Sequence, residues 1–232
     1  MATTMPVGAG QSSHPIPTTD FEQRLWAGGV RYVAGVDEVG RGSAVSAVFA
    51  AAVILPVGFR GLRDARDSKL LSPRERARLA LAITDEAIGA ALGAASIAEI
   101  EQYNVRGATA LAMLRALRRV GVWEHALIDG LPMRELPPGR CTAIVDGDAL
   151  CLSVACASIV AKEARDGLLR QLAARHPGYG WEHNAGYLTL EHREALRCLG
   201  PTPQHRPRFL ASTQTGSFRF GHAACYTAQL KR

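Results

Sequence analysis

The chain has 232 residues, of which 47% are hydrophobic and 21% charged, with a formal net charge of +6. That balance argues against a disordered or a membrane-embedded chain, and a chain of this length can bury a sizeable core in one main fold. From Arg165 onward ten Lys and Arg stand against four Asp and Glu, while the preceding residues carry seventeen of each. A polyanion-binding face and a solvated basic tail are both consistent with this asymmetry.

The N-terminus lacks the basic start and apolar run of a signal peptide, and no later stretch is long and apolar enough to span a bilayer. The five cysteines, Cys141, Cys151, Cys156, Cys198 and Cys225, are odd in number and form no C-x-x-C pair. Reduced thiols and a cytoplasmic location are therefore expected, without a disulfide framework or a structural zinc site.

Residues 1 to about 20 are rich in Thr, Ser, Pro and Gly and read as a flexible leader, drawn to residue 28. Tyr32–Asp37 and Ser46–Leu55 are β-prone runs on either side of a Gly-Arg-Gly turn. Ser72-Pro73-Arg74-Glu75 combines a capping-box pattern with proline at the first helical position, and Leu79, Ile83 and Ala87 continue a helical stripe. A strand is expected at Ala90–Ser96, then a second capping box at Ser96–Glu99 opening a short helix, and a longer helix capped by Asn104 and running to Arg119. His125–Asp129 and Cys141–Val145 read as short strands, Leu152–Arg175 as a long helix and Thr189–Leu199 as an amphipathic one. The order β-β-α-β-α-α-β-β-α-α points to an α/β fold, a mixed sheet with covering helices.

Asp37 and Glu38 directly follow the apolar residues Val33, Ala34 and Val36. Burying such a pair without a compensating cation is costly, and a metal ion would supply the compensation. Asp129 ends the strand Ala126-Leu127-Ile128, and ligands gather at the carboxyl ends of strands in open α/β sheets. Asp166 lies eleven residues after Ala155 and seven after Ile159, on the same helical face. Plainer readings exist for each: a solvated strand end for Asp37 and Glu38, an Asp-Gly turn for Asp129, and an i,i+4 pair with Lys162 for Asp166. Taken together, four carboxylates without His or Cys form a hard-oxygen set suited to Mg²⁺ or Mn²⁺ and to two-metal phosphodiester hydrolysis.

Five blocks in order, V-D-E-V-G-R-G from Val36, D-S-K from Asp67, I-D-G from Ile128, A-S-I-V-A-K-E-A-R-D from Ala157 and G-P-T-P-Q-H-R from Gly200, resemble bacterial ribonuclease HII over Tyr32 to Phe209. The resemblance implies a ribonuclease H-like mixed five-stranded sheet flanked by helices, spanning residues 29–175. A small C-terminal helical substrate-binding extension over 176–210 and a tail over 211–232 would follow. It implies that Asp37, Glu38, Asp129 and Asp166 are the catalytic and metal-binding acids. Gly40, Arg41 and Gly42 would contact the ribonucleotide at its 2′-hydroxyl, Tyr187 would sense the RNA–DNA junction, and Lys69 would lie near a phosphate, with His205 and Arg206 as weaker candidates.

The expected partner is an RNA/DNA hybrid or duplex DNA containing ribonucleotides. The expected product ends are a 3′-hydroxyl and a 5′-phosphate from a cut 5′ of the ribonucleotide, in ribonucleotide removal and RNA primer processing by a monomer. Three positions depart from the family pattern: Ser43 after G-R-G, Asn184-Ala185 before Gly-Tyr, and Asp146 before the Gly-Asp preceding the long helix. Lost basic groups and an added carboxylate would weaken phosphate contacts or perturb metal binding. A DNA junction resolvase and a non-catalytic hybrid-binding protein are the competing readings.

Overall fold

The computed structural model describes residues 16–62, 64–65, 68 and 71–213. Strand β1 (Val33–Val39) pairs antiparallel with β2 (Val48–Ile54), and β2 pairs antiparallel with β3 (Gly89–Ala95). On its other side β1 runs parallel to β4 (His125–Asp129), which is parallel to β5 (Cys141–Ile144). The order β3-β2-β1-β4-β5 makes the mixed five-stranded sheet expected from the sequence. Because β1, β4 and β5 run parallel, their carboxyl ends share one edge.

Side-chain alternation along β2 divides the core into two layers. Val48, Ala50, Ala52 and Ile54 face helix α3 (Ile97–Arg119), whereas Ala51 and Val53 face helices α2 (Pro73–Glu86) and α5 (Leu152–Arg175). The expected caps are present. Ser72 Oγ accepts from the Glu75 N–H and Glu75 reaches back to the Ser72 N–H, and Ser96 with Glu99 repeats the box. Asn104, at φ 59°, interrupts α3 and caps its second half, accepting from the N–H groups of Arg106 and Gly107 at 2.9 and 3.2 Å. The expected short helix and longer helix capped by Asn104 are thus both present, joined at that residue.

The leader expected over residues 1–28 is corrected within its described part. Thr18 bridges to Cys151, and Asp20–Ala27 forms helix α1. Its Glu22 is fully buried and accepts from the Ser153 N–H at 2.8 Å, at the amino end of α5, where a carboxylate also meets the positive end of the helix dipole. Composition suggested a leader because Thr, Pro and Gly dominate locally, but the buried Glu22 contact, together with the packing of Phe21, Leu25 and Trp26 on the core, docks the segment. A single turn, α4 (Gly147–Leu150), absent from the sequence reading, joins β5 to α5.

Beyond α5, the turn α6 (Trp181–Asn184) and helices α7 (Leu190–Leu199) and α8 (Pro207–Thr213) form the extension. Tyr179, Trp181 and Leu196 pack with Leu169 and Leu172 of α5 and with Ala44 and Val45 of the β1–β2 connection. Among the described residues Cys141, Cys151, Cys156 and Cys198 are free thiols, and Cys225 lies outside them. Among the described residues no helix is long and apolar enough to cross a membrane.

Helix α5 crosses β1 at Gly35, where a Cβ would lie 2.1 Å from the Ser153 carbonyl carbon. Backbone fills that space, so Gly35→Ala is expected to lower unfolding stability by about 3 kcal/mol, the upper range for overpacking. Denaturant midpoints of the two proteins test it.

Candidate active site

Residues 33, 35 and 37 of β1 point toward α5, as do 127 and 129 of β4. Register pairs Val36 with Ile128, so the next step along both strands brings Asp37 and Asp129 to neighbouring positions at the shared carboxyl edge. Glu38 follows at once, and carboxylate oxygens of Asp37, Glu38 and Asp129 all lie within 4.8 Å of one another. Asp37 is buried; Glu38 and Asp129 are half-buried. Burial first, and then the charges of Glu38 and Asp129, push the Asp37 carboxyl well above its ordinary range; a hydrogen bond with Ser158 of α5 opposes them.

A further carboxylate contributes to the same field. Asp129 Oδ1 accepts from the Gly147 N–H at 2.7 Å, which fixes the start of α4 beside the cluster. The next residue, Asp148, is buried, lines the same cavity, and its charge also raises Asp37. The sequence reading missed Asp148. The parallel-strand rule that found Asp129 also applies to β5, whose carboxyl end leads into Asp148 four residues after the strand.

Asp166 stands apart from the cluster. Its Oδ2 accepts from Arg76 Nη2 at 2.8 Å and its Oδ1 from Lys162 Nζ at 2.7 Å. Periodicity identified the correct helix face but ignored translation. Asp166 lies eight residues beyond Ser158, which touches Asp37, and a rise of about 1.5 Å per residue carries it about 12 Å along the axis. The plainer i,i+4 reading with Lys162 is the observed arrangement.

Gly40, Arg41 and Gly42 line the same cavity of about 410 Å³ as the acids, together with Tyr187, Lys162 and Arg165. Gly40 has φ 92°, and a Cβ there would meet the Arg165 guanidinium at 2.3 Å, so both conformation and space require glycine. The buried Arg206 holds the turn from behind: its guanidinium donates to the carbonyls of Gly40 and Arg41 at 2.8 and 3.0 Å, and to those of Ser46 and Ala47. Arg41 is half-exposed and donates to Glu38 Oε1 at 3.1 Å. Tyr187 is 48% exposed and stands beside Gly42, as a surface contact would and a core tyrosine would not. Lys69 and Asp67 lie outside the described residues. A larger cavity, about 640 Å³, borders α3 at Tyr103, Arg106 and Leu114 and contains none of the candidate residues.

The extension fixes Tyr187 through its backbone. The Thr202 N–H donates to His205 Nδ1 at 2.9 Å, leaving the His205 proton on Nε2, which faces His192 Nε2 at 3.1 Å. The other nitrogen of His192, Nδ1, is 2.9 Å from the Tyr187 carbonyl and donates to it in this tautomer.

A family model of ribonuclease HII matches residues 34–212. The chain belongs to the ribonuclease HII family. Accordingly it is a ribonuclease H hydrolase. It is 53% identical over 192 residues to the ribonuclease HII of Thermosynechococcus vestitus, covering 83% of this chain and 90% of that protein. Among solved structures it is similar to the ribonuclease H2 of Pyrococcus horikoshii, at 24% identity and a TM-score of 0.65, covering 76% of this chain and 92% of that one. The ribonuclease HII of Archaeoglobus fulgidus, solved in complex with PCNA, aligns at 21% identity and a TM-score of 0.65, covering 81% and 98%.

Against the pattern of the ribonuclease HII family, the three departures take defined places. Ser43 is buried, and its hydroxyl lies 3.0 and 3.2 Å from the carbonyls of Val45 and Gly186, which share its one proton, linking the Gly40–Gly42 turn to the extension. Asn184 accepts from the Gly186 N–H at 2.8 Å and donates to the Tyr179 carbonyl, shaping the approach to Tyr187. Asp146 is exposed in a left-handed conformation just before α4.

The His192–His205 pair is buried and neutral, with burial pushing His205 from 6.5 down to about 4. A depressed imidazole contributes stability that is present above pH 6.5 and lost as pH falls toward 4. The melting temperature is therefore expected to fall across that window, and to fall less steeply in His205→Gln, whose amide takes up no proton.

Proposed function

We propose that this chain hydrolyses the RNA strand of RNA/DNA hybrids and cuts 5′ of ribonucleotides embedded in duplex DNA, leaving 3′-hydroxyl and 5′-phosphate ends. The observation that carries the reading is one cavity that joins an acid cluster to a glycine turn and an exposed aromatic ring.

The acids suit divalent metal. The donors are all carboxylate oxygens, and the raised Asp37 is a buried charge surrounded by like charges, a stress that a bound cation relieves. Asp37, Glu38 and Asp129 would hold the ions, with Asp148 taking the fourth place first assigned to Asp166. Mg²⁺ or Mn²⁺ bound as a pair supplies a water activated at neutral pH and neutralises charge on the leaving oxygen.

The remaining work falls to the chain's own groups. Gly40 and Gly42 present a bare backbone for close approach to a sugar, and Arg206 holds that backbone rigid, so a 2′-hydroxyl can be read by position. Tyr187 offers a ring face beside Gly42 for the neighbouring nucleotide. With the hydroxyl used in recognition it is not the nucleophile. A 2′-OH attack would call for general acid–base side chains, and among the described residues the cavity lining contains no histidine. Lys69 is proposed near a phosphate. The assignment extends to ribonucleotide removal and RNA primer processing by a cytoplasmic monomer.

A duplex carrying one ribonucleotide, assayed with and without Mg²⁺ or Mn²⁺, tests the reading. Asp37→Asn, Asp129→Asn and Asp148→Asn are each expected to reduce cleavage to background while the protein remains folded and still binds the hybrid. End-group analysis should find 3′-hydroxyl and 5′-phosphate; a 2′,3′-cyclic phosphate, or full activity in excess chelator, would refute metal-assisted hydrolysis.

Tyr187→Ala is expected to slow cutting at an isolated ribonucleotide by an amount equivalent to about 1–3 kcal/mol, the typical value of one stacked base. Its melting temperature should barely move, given the ring's exposure. Lost stability with an unchanged rate per folded molecule would return Tyr187 to a structural role.

A further inference from the structure

Ser158, Lys162 and Asp166 recur every four residues along α5 and form one stripe. The first touches Asp37, the second lines the cavity, and the third pairs with the second. Asp166 does more than hold a lysine. It also binds Arg76, which is almost fully buried and reaches Glu163 at 3.4 Å; Glu163 in turn pairs with Arg170 at 3.1 Å.

Three cations, Arg76, Lys162 and Arg170, thus share two carboxylates, Asp166 and Glu163. The network carries one positive charge in excess. Of the three cations, Lys162 is the one that borders the cavity, with its side chain 20% exposed. A strongly hydrated ammonium on a flexible stem, held by a neighbour at the rim of an acid cluster, is suited to meeting a backbone phosphate.

We propose that Lys162 binds a substrate phosphate beside the acid cluster, and that Asp166, anchored by Arg76, is its positioning residue rather than a metal ligand. The inference rests on the hybrid-cleaving reading of the site. Asp166 aims the ammonium, and Arg76, itself buried, keeps Asp166 fixed through their 2.8 Å ion pair.

The test uses the whole chain and a fluorescent RNA/DNA hybrid, with binding measured in chelator over a salt series. Lys162→Met, which keeps the stem, is expected to weaken binding about tenfold and to lower the slope of log affinity against log salt by about one, as for a lost phosphate contact; Lys162→Arg should restore both. Asp166→Asn should weaken binding less, and should add nothing when combined with Lys162→Met, since it acts through that lysine. Half-saturating Mg²⁺ for cleavage should stay within about twofold of wild type in both single variants, because neither residue holds metal.

Unchanged affinity and slope in Lys162→Met, additive losses in the double variant, or a tenfold rise in half-saturating Mg²⁺ for Asp166→Asn would each overturn the proposal. Melting temperatures accompany each measurement, and Lys162→Met decides the case if Asp166→Asn is poorly folded. Cleavage by wild type in the same preparation tests the functional reading separately: a wild type that cuts, with a Lys162→Met that binds normally, sinks only this inference.

Discussion

The arrangement depends on how closely α5 approaches the central strand at Gly35. With no Cβ in the way, helix backbone rests against strand backbone, at Ser153 and Val154 of α5. That contact fixes the axial position of α5. Ser158 then falls at Asp37, Lys162 at the cavity rim and Arg165 beneath Gly40. A helix displaced by one bulky side chain would lose all three placements together.

Electrostatics divides the cavity. Carboxylates converge from the carboxyl edge of the parallel strands and from the turn after β5, where burial and the neighbouring charges oppose ionisation of Asp37. Cations approach from α5 and from the Gly-Arg-Gly turn. Most are committed: Arg165 to the Ala185 carbonyl, Arg206 to four backbone carbonyls, and Arg41 to Glu38. The positive wall is therefore largely a scaffold for backbone groups, and its cations stay off the buried Asp37 carboxylate proposed to hold metal.

The extension packs against the Gly40–Gly42 turn as a second jaw. Ala44 donates to the Gly186 carbonyl, Arg206 donates to the carbonyls of Gly40 and Arg41, and the neutral His192–His205 pair ends at the Tyr187 carbonyl. Ring and turn are thereby set against each other by backbone contacts, whereas the groups that would meet substrate, the Tyr187 ring and the Arg41 head, remain exposed. Such sites are precise because the supporting groups are buried and satisfied while the reading groups face solvent.

Local signals in the sequence by themselves determined the five strands, the capped starts of α2 and α3, the break at Asn104, and the carboxyl-end placement of Asp37, Glu38 and Asp129. Each follows from alternation, helical period or a capping pattern carried within about a dozen residues. Only the tertiary structure decided between Asp148 and Asp166, because helical period fixes a face while the distance along the axis is set by where α5 meets Gly35. It alone docked α1, through the contact of Glu22 with Ser153 across 131 residues of chain, and it alone revealed Arg206 as the clamp on the Gly40–Gly42 turn across 166. Long-range pairings of single buried charges leave no periodic trace in sequence, and these pairings position the site.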